Sequence, residues 1–149
     1  MNKKQKSLTN KGFSLVELII VIAIMAVLVG VLAPQFIKYV EQSRRSTDIQ
    51  NAENIKTAVL ADIADGQIEG KSDTGVAFVD YTSASPKKDG SMASTIATAP
   101  KVSGNKVNHG GSFYVTYNAT TGTCSVYPDS ALSYDLTNAD TAVTYKTAK

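Results

Sequence analysis

Glu17 is the residue whose chemistry demands an account. It stands in FSLVELIIVIAIMAVLVGVLA, residues 13–33, where every other residue except Ser14 is apolar or small. A helix over these residues spans roughly 31 Å, about one hydrocarbon thickness. A carboxylate in such a helix costs ~2–3 kcal/mol at mid-membrane and less near the interface. It needs a cation. The Gly12–Phe13 bond offers one. If that bond is cut, Phe13 carries an ammonium and Glu17 lies four residues on, one helical turn away. An ammonium and a carboxylate in low dielectric each require a partner, and the acid also sits at the positive end of the helix dipole. Within one chain the pair neutralises both charges. Between neighbouring chains it also sets register, because an incoming amine stops where it meets a carboxylate.

Other residues with chemical potential point to bland roles. His109, the single histidine, sits in Asn-His-Gly-Gly with no nucleophile placed beside it, so a turn is expected rather than a Ser-His-Asp triad. No His or Cys spacing fits a metal centre. Asp129, Asp135 and Asp140 are oxygen donors of the kind calcium takes, but their surroundings read as turns. Cys124 alternates onto the same face as Val126, which points to a buried free thiol. As the one cysteine it excludes an intramolecular disulfide. Asn118-Ala119-Thr120 matches the N-glycosylation pattern. Lys87, Lys88, Lys101 and Lys106 read as exposed loop charge. No cofactor, metal or catalytic group is expected, and no enzymatic activity.

The elements that position Glu17 follow from the composition. The chain has 149 residues, enough for one domain and an anchor, with a formal net charge of +2. Lys3, Lys4, Lys6 and Lys11 precede the apolar run with no acid among them. Without them the remainder is mildly acidic, which argues against a nucleic-acid-binding body. Three readings of the run stay open on these grounds. A secretory signal peptide has a shorter apolar region, lacks a carboxylate, and is not followed by proline at its cleavage site, as Val31-Leu32-Ala33 is by Pro34. A plain membrane anchor, held with its N-terminus inside by the lysines, leaves Glu17 unexplained. A helix cut at Gly12 explains it.

Ala23, Ala26, Gly30 and Ala33 fall on one helical face and permit close approach of another backbone. Pro34 cannot donate to the carbonyl of Gly30, so 30–34 is expected to kink or to lose helicity under load. The helix then resumes. Ile49, Ala52, Ile55, Val59 and Ile63 form an amphipathic stripe, with Lys38, Glu41, Arg44, Arg45, Asp48, Glu53 and Lys56 read as a solvated face. Asp65-Gly66 is the expected end. The whole helix would run roughly 80 Å, longer than a small domain can bury.

Residues 66–149 are rich in Thr, Ser, Ala, Gly and Asp and poor in large aliphatics, so the stripe on the helix must supply one wall of their core. Gly and Pro punctuate 66–107, which reads as mostly loop, with a short strand at 76–80 and a helical turn around 91–99. A strand at 113–117 puts Phe113, Val115 and Tyr117 on one face. Residues 118–122 read as a hairpin loop, Thr123–Tyr127 as the return strand, and 141–145 as a last strand with Val143 and Tyr145 on one face. The segment 129–140 is expected to be held by the sheet alone. The resulting class is α+β: a long N-terminal helix packed on a small antiparallel sheet of three or four strands.

The lysine-rich start ending in Gly12, followed by Phe13, Glu17 and the unbroken apolar segment, resembles the prepilins of type IV pili and related filaments. The resemblance implies a leader, 1–12, that prepilin peptidase removes on the cytoplasmic side, and N-methylation of the new terminus at Phe13. It implies a membrane-spanning, later filament-core, helix at 13–34, an amphipathic half at 35–65, and a body at 66–149. Glu17 would serve subunit assembly, and Gly30 with Pro34 a kinking or melting segment. The implied partners are other pilin subunits, the cytoplasmic membrane, the peptidase, and the assembly motor and platform. The mature chain would belong to an extracellular pilus. A major pilin is the first expectation; a pseudopilin of a secretion or competence apparatus, or a minor pilin or membrane-tethered adhesin, are the alternatives. Many relatives close their C-terminal region with a disulfide that this chain cannot form; in that respect it looks most like disulfide-free clostridial pilins.

Overall fold

A computed structural model describes residues 12–65, 72–78, 98–105 and 107–148. The order of elements is α1 (Leu15–Ala64), β1 (Asp73–Ala77), β2 (Tyr114–Asn118), β3 (Thr123–Tyr127) and α2 (Ala139–Thr147). The chain divides into two units, residues 1–38 and 39–149, and α1 contributes to both.

In the first unit, α1 carries Pro34 inside its helical span, as the resumed helix requires. Side chains at 12–38 are all exposed, including Leu15, Ile19, Met25, Leu28, Leu32 and Phe36. An unbroken apolar surface of this size is unusual in a soluble monomer and marks a face that meets lipid or another protein.

The second unit holds the core. From α1 come Ala52, Ile55 and Val59, at steps of three and four, flanked by partly buried Ile49 and Ile63. The expected stripe is therefore the core face. β2 pairs antiparallel with β1 on one side and β3 on the other. In β2 and β3 the side chains that face inward alternate, so Val115 lies opposite Val126 and Tyr117 opposite Cys124, all four buried. Phe113, Phe78, Val102, Leu136 and Tyr145 complete the cluster. Each such apolar side chain contributes ~1.5–3 kcal/mol on burial. Register is strongly specified here, because a slip of one residue would turn Val115 and Val126 out to solvent.

The expected return strand is observed at its predicted position, the 113–117 strand is shifted by one residue, and the hairpin loop is correspondingly 119–122 rather than 118–122, because Asn118 pairs with Thr123. The expected strand at 76–80 is instead β1, which ends at Ala77. Its pairing with β2 is interrupted between Asp73 and Val76, where Gly75 has φ of +63°. A bulge takes up that backbone at little cost only with glycine. The expected helical turn around 91–99 lies largely outside the described residues, as do Gly66, Lys87, Lys88 and Lys106.

Two expectations for the C-terminal segment are corrected. Residues 141–145 are not a strand; they belong to α2. Asn138 caps this helix by accepting from Asp140 N at 3.0 Å, Asp140 lies in its first turn and Lys146 in its last. In a strand Val143 and Tyr145 would share a face. Here Val143 is 62% exposed and Tyr145 1%, and the buried pair is Ala142 and Tyr145, three apart, as a helix demands. Nor is 129–140 held by the sheet alone. Leu136 N does donate to Val126 O at 2.9 Å. The rest is held by side-chain turns: Asp129 accepts from Ser133 N and Oγ, and Asp135 from Thr137 N and Oγ1. Thr141 Oγ1 donates to the carbonyl of Asp135.

Candidate functional site: the helix start and its exposed apolar half

Gly12, Phe13 and Ser14 precede α1 in non-helical conformation, and all three are exposed. Phe13 is 92% exposed, a large cost for an aromatic side chain with no covering surface. The helix begins with Leu18 N donating to Ser14 O at 3.2 Å. Ser14 N in turn donates to Glu17 Oε2 at 2.8 Å. Ser-x-x-Glu is a capping box, in which the acid at the third helical position satisfies the backbone N–H of the capping residue. Glu17 thus has a partner within the chain that the search for a cation passed over. With Gly12 attached, Phe13 N is a peptide amide, so Glu17 has no ammonium to meet and takes the N–H of Ser14.

Two glycines have no internal reason to be glycine. A Cβ at Gly12 or at Gly30 would meet nothing within 4 Å. Neither is among the residues with positive φ. Inside a helix, Gly30 costs ~1 kcal/mol relative to Ala. Pro34, four residues after Gly30, leaves the Gly30 carbonyl without its helical donor.

A second polar constellation lies in the second unit and was missed. Arg45 and Asp48 are buried and Glu41 half-buried, where a solvated face was expected; Arg45 is 2% exposed and Asp48 0%. Arg45 Nε donates to Glu41 Oε1 at 2.9 Å, and its Nη1 donates to the carbonyls of Tyr145 and Ala148 at 2.8 and 2.6 Å. The guanidinium also lies 5.6 Å from the Tyr145 ring centre. Asp48 accepts from Ser103 N at 2.6 Å, from Gly104 N at 2.8 Å and from the Tyr145 hydroxyl at 2.7 Å. Asn105 N donates to Glu41 Oε1 at 2.9 Å. Burial, together with the Asp48 carboxylate, holds the Tyr145 phenol far above its ordinary range. Gly104 is needed for this closeness, since a Cβ there would lie 2.7 Å from the Tyr145 hydroxyl. The available signal was phase: 41, 45 and 48 continue the buried series 52, 55, 59 backward at steps of four and three.

Cys124, His109 and Asn118 lie where the sequence pattern put them: a buried thiol, a turn and a hairpin tip. Cys124 is buried, and desolvation raises its thiol from 9.0 to about 11, with Lys56 lowering and Asp135 raising it slightly. His109 is exposed in a turn, its Nδ1 3.1 Å from the Ser103 carbonyl. Asn118 Oδ1 accepts from Thr120 N and Thr121 N at the hairpin tip. Among the described residues no group of three His, Cys, Asp or Glu side chains could hold a metal ion.

Residues 8–33 match the family model of the prokaryotic N-terminal methylation motif. Among similar proteins, a type IV major fimbrial protein FimA of Dichelobacter nodosus is 32% identical over 89 residues, 60% of this chain and 54% of that protein. Another FimA of the same organism is 38% identical over 61 residues, covering 41% of this chain and 38% of its own length. A third, described as a fimbrial protein, is 32% identical over 60 residues, 40% and 38% of the two chains. This chain thus spans about half the length, or less, of the curated relatives it matches. No solved structure matches it. The matched motif contains Gly12, Phe13, Glu17 and Gly30, and Pro34 follows it directly.

Proposed function

We propose that the chain is the major structural subunit of a type IV pilus. The observation that carries this reading is a coincidence of two things at one place. The N-terminal methylation motif, 8–33, runs into an apolar helix whose side chains over 15–33 are all exposed among the described residues, with one carboxylate at its start. A membrane would cover that helix before assembly, and like helices would cover it afterwards.

In this reading prepilin peptidase cuts between Gly12 and Phe13, removing 1–12. The scissile bond lies ahead of the helix in exposed, non-helical chain, where a protease can bind it extended. Phe13 then carries the N-methylated amine, and the Glu17 carboxylate exchanges its Ser14 N–H for an ammonium, of its own chain or of a neighbour. Residues 13–34 anchor the precursor in the cytoplasmic membrane with the N-terminus inside, and later form the filament core. Residues 35–65 continue the helix into the body, 66–149. An assembly motor and platform move the subunit from membrane to extracellular fibre. Gly30 and Pro34 supply the place where the helix bends or opens in that transfer. The names of the relatives, major fimbrial and fimbrial proteins, favour a pilus over a secretion pseudopilus. The absence of a disulfide is the one feature favouring a clostridial-type host.

The test is Glu17→Ala, with N-terminal mass spectrometry of the parent protein. The expected parent begins at Phe13 and carries a methyl group. The variant is expected to stay membrane-bound and folded while its amount in sheared fibres drops about tenfold or more, the scale of a lost charge-assisted contact. Fibres holding normal amounts of the variant, or mature protein that keeps residues 1–12, would refute the proposal.

A further inference from the structure

α1 has two halves that differ in what holds them. From 12 to 39 every side chain is exposed, and Pro34 removes one of the helix's own hydrogen bonds. The first residue of α1 with a hydrogen bond to another part of the body is Glu41, among the described residues. Within the next two turns, Arg45 and Asp48 add contacts to 103–104, to the Tyr145 hydroxyl and to the carbonyls at the end of α2. The apolar contacts of α1 with the core begin only beyond, at Ile49 and Ala52. Along α1, the polar cluster is therefore the first part tied to the body, ahead of the apolar contacts.

We propose that the Glu41–Arg45–Asp48 cluster is a stop: unwinding of the exposed half of α1 ends there and does not run on into the body. A helix without such a stop frays progressively, because each opened turn exposes the next. Here the turn from Glu41 to Asp48 cannot open unless a buried guanidinium and a buried carboxylate lose their partners together. These are the contacts most costly to leave unmade. Apolar packing alone would yield one side chain at a time. The purpose of the stop rests on the filament reading, in which the exposed half is bent or pulled; its existence does not.

The experiment is hydrogen exchange of the full chain in detergent micelles, read at single-residue resolution. A helix-breaking pair, Ile37→Gly with Tyr39→Gly, is placed in the exposed half. In the otherwise unchanged chain the break should leave exchange of amides 45–52 within about twofold. In an Asp48→Asn background the same break should speed those amides about tenfold beyond the effect of Asp48→Asn alone, the coupling that marks a removed barrier. Tyr145→Phe, which deletes only the hydroxyl that reaches Asp48, should act in the same direction and serves if Asp48→Asn fails to fold. A break that speeds 45–52 in the unchanged chain would overturn the proposal. So would one with the same effect in both backgrounds. Neither result depends on whether the chain forms fibres, so failure of the stop and failure of the pilus reading are separable.

Discussion

Replacing Arg45 with methionine isolates the energetic weight of the buried cluster. Methionine keeps an unbranched apolar stem along the helix and removes the guanidinium. The variant then leaves the carbonyls of Tyr145 and Ala148 without their donor and removes the cation beside Glu41. Breaking a buried pair by deleting one partner costs ~3–5 kcal/mol. Glu41 retains the N–H of Asn105 and is partly exposed, which places this case at the low end, about 3 kcal/mol. For a domain of this size that corresponds to a fall in Tm of roughly 10–20 °C. The assay is thermal unfolding followed by near-ultraviolet circular dichroism of the tyrosines, which report alone because the chain has seven of them and no tryptophan. Arg45→Lys should fall between, since an ammonium keeps the charge but lacks the fork that reaches both carbonyls. Glu41→Gln combined with Arg45→Met should be less destabilising than Arg45→Met alone, because no unpaired carboxylate remains. A loss below about 1 kcal/mol for Arg45→Met would place the pair with surface ion pairs and refute the reasoning.

The other predictions concern the thiol, α2 and the close approach at Gly104. The Cys124 thiol is raised in the folded chain, so the folded state favours its protonated form. The stability this gives is complete below the ordinary value of 9.0 and is lost as pH rises from there through about 11; Cys124→Ala should make the stability-versus-pH curve shallower in that window, while the raised Tyr145 phenol keeps its own decline above 10.0, and a parent curve already flat there would contradict it. Val143→Lys should leave the Tm within ~2–4 °C, as an exposed helical position allows, whereas Tyr145→Ala should cost ~3–5 kcal/mol; equal losses would restore the strand. Gly104→Ala should destabilise by ~1–3 kcal/mol, and Tyr145→Phe should relieve part of that loss because the atom in the way is the hydroxyl; additive losses would argue against the clash.

What could be read from the sequence divides by the kind of signal. The β2–β3 hairpin was legible because apolar alternation and the turn residues agree over 113–127. The stripe at 49–63 was legible because its members are apolar. Arg45 and Asp48 continue the same face, yet their types argued for solvent. Only the fold reveals that residues 103–105 and α2 deliver N–H, hydroxyl and carbonyl groups to them from far along the chain. α2 failed for a different reason. Thr141, Val143 and Tyr145 have strand propensity and alternate, and over five residues a helix can present the same alternation. The deciding signal lay just outside that window, in the cap at Asn138 and the acid at 140. At Glu17 the sequence held a Ser-x-x-Glu capping signal that the charge argument passed over, and in the fold the carboxylate accepts from Ser14 N.

The clamp on α2 also bears on how a chain with one cysteine secures its C-terminal segment. The contact from Arg45 to the Tyr145 carbonyl closes a loop of 100 residues. A disulfide across such a loop would contribute ~4.7 kcal/mol, largely by restricting the unfolded chain. The Arg45–Asp48 cluster cannot act that way, because it exists only once the fold has brought its parts together. Its ~3 kcal/mol belongs wholly to the native state. The two solutions fail under different insults. A covalent loop is vulnerable to reductant; the cluster holds no bond that reductant can cut, and its burial shields it from salt. It is vulnerable instead at single positions, since Arg45, Asp48 and Gly104 each have one geometry and no spare partner. Relatives that rely on such a cluster should therefore tolerate change in their cysteines and very little at these positions.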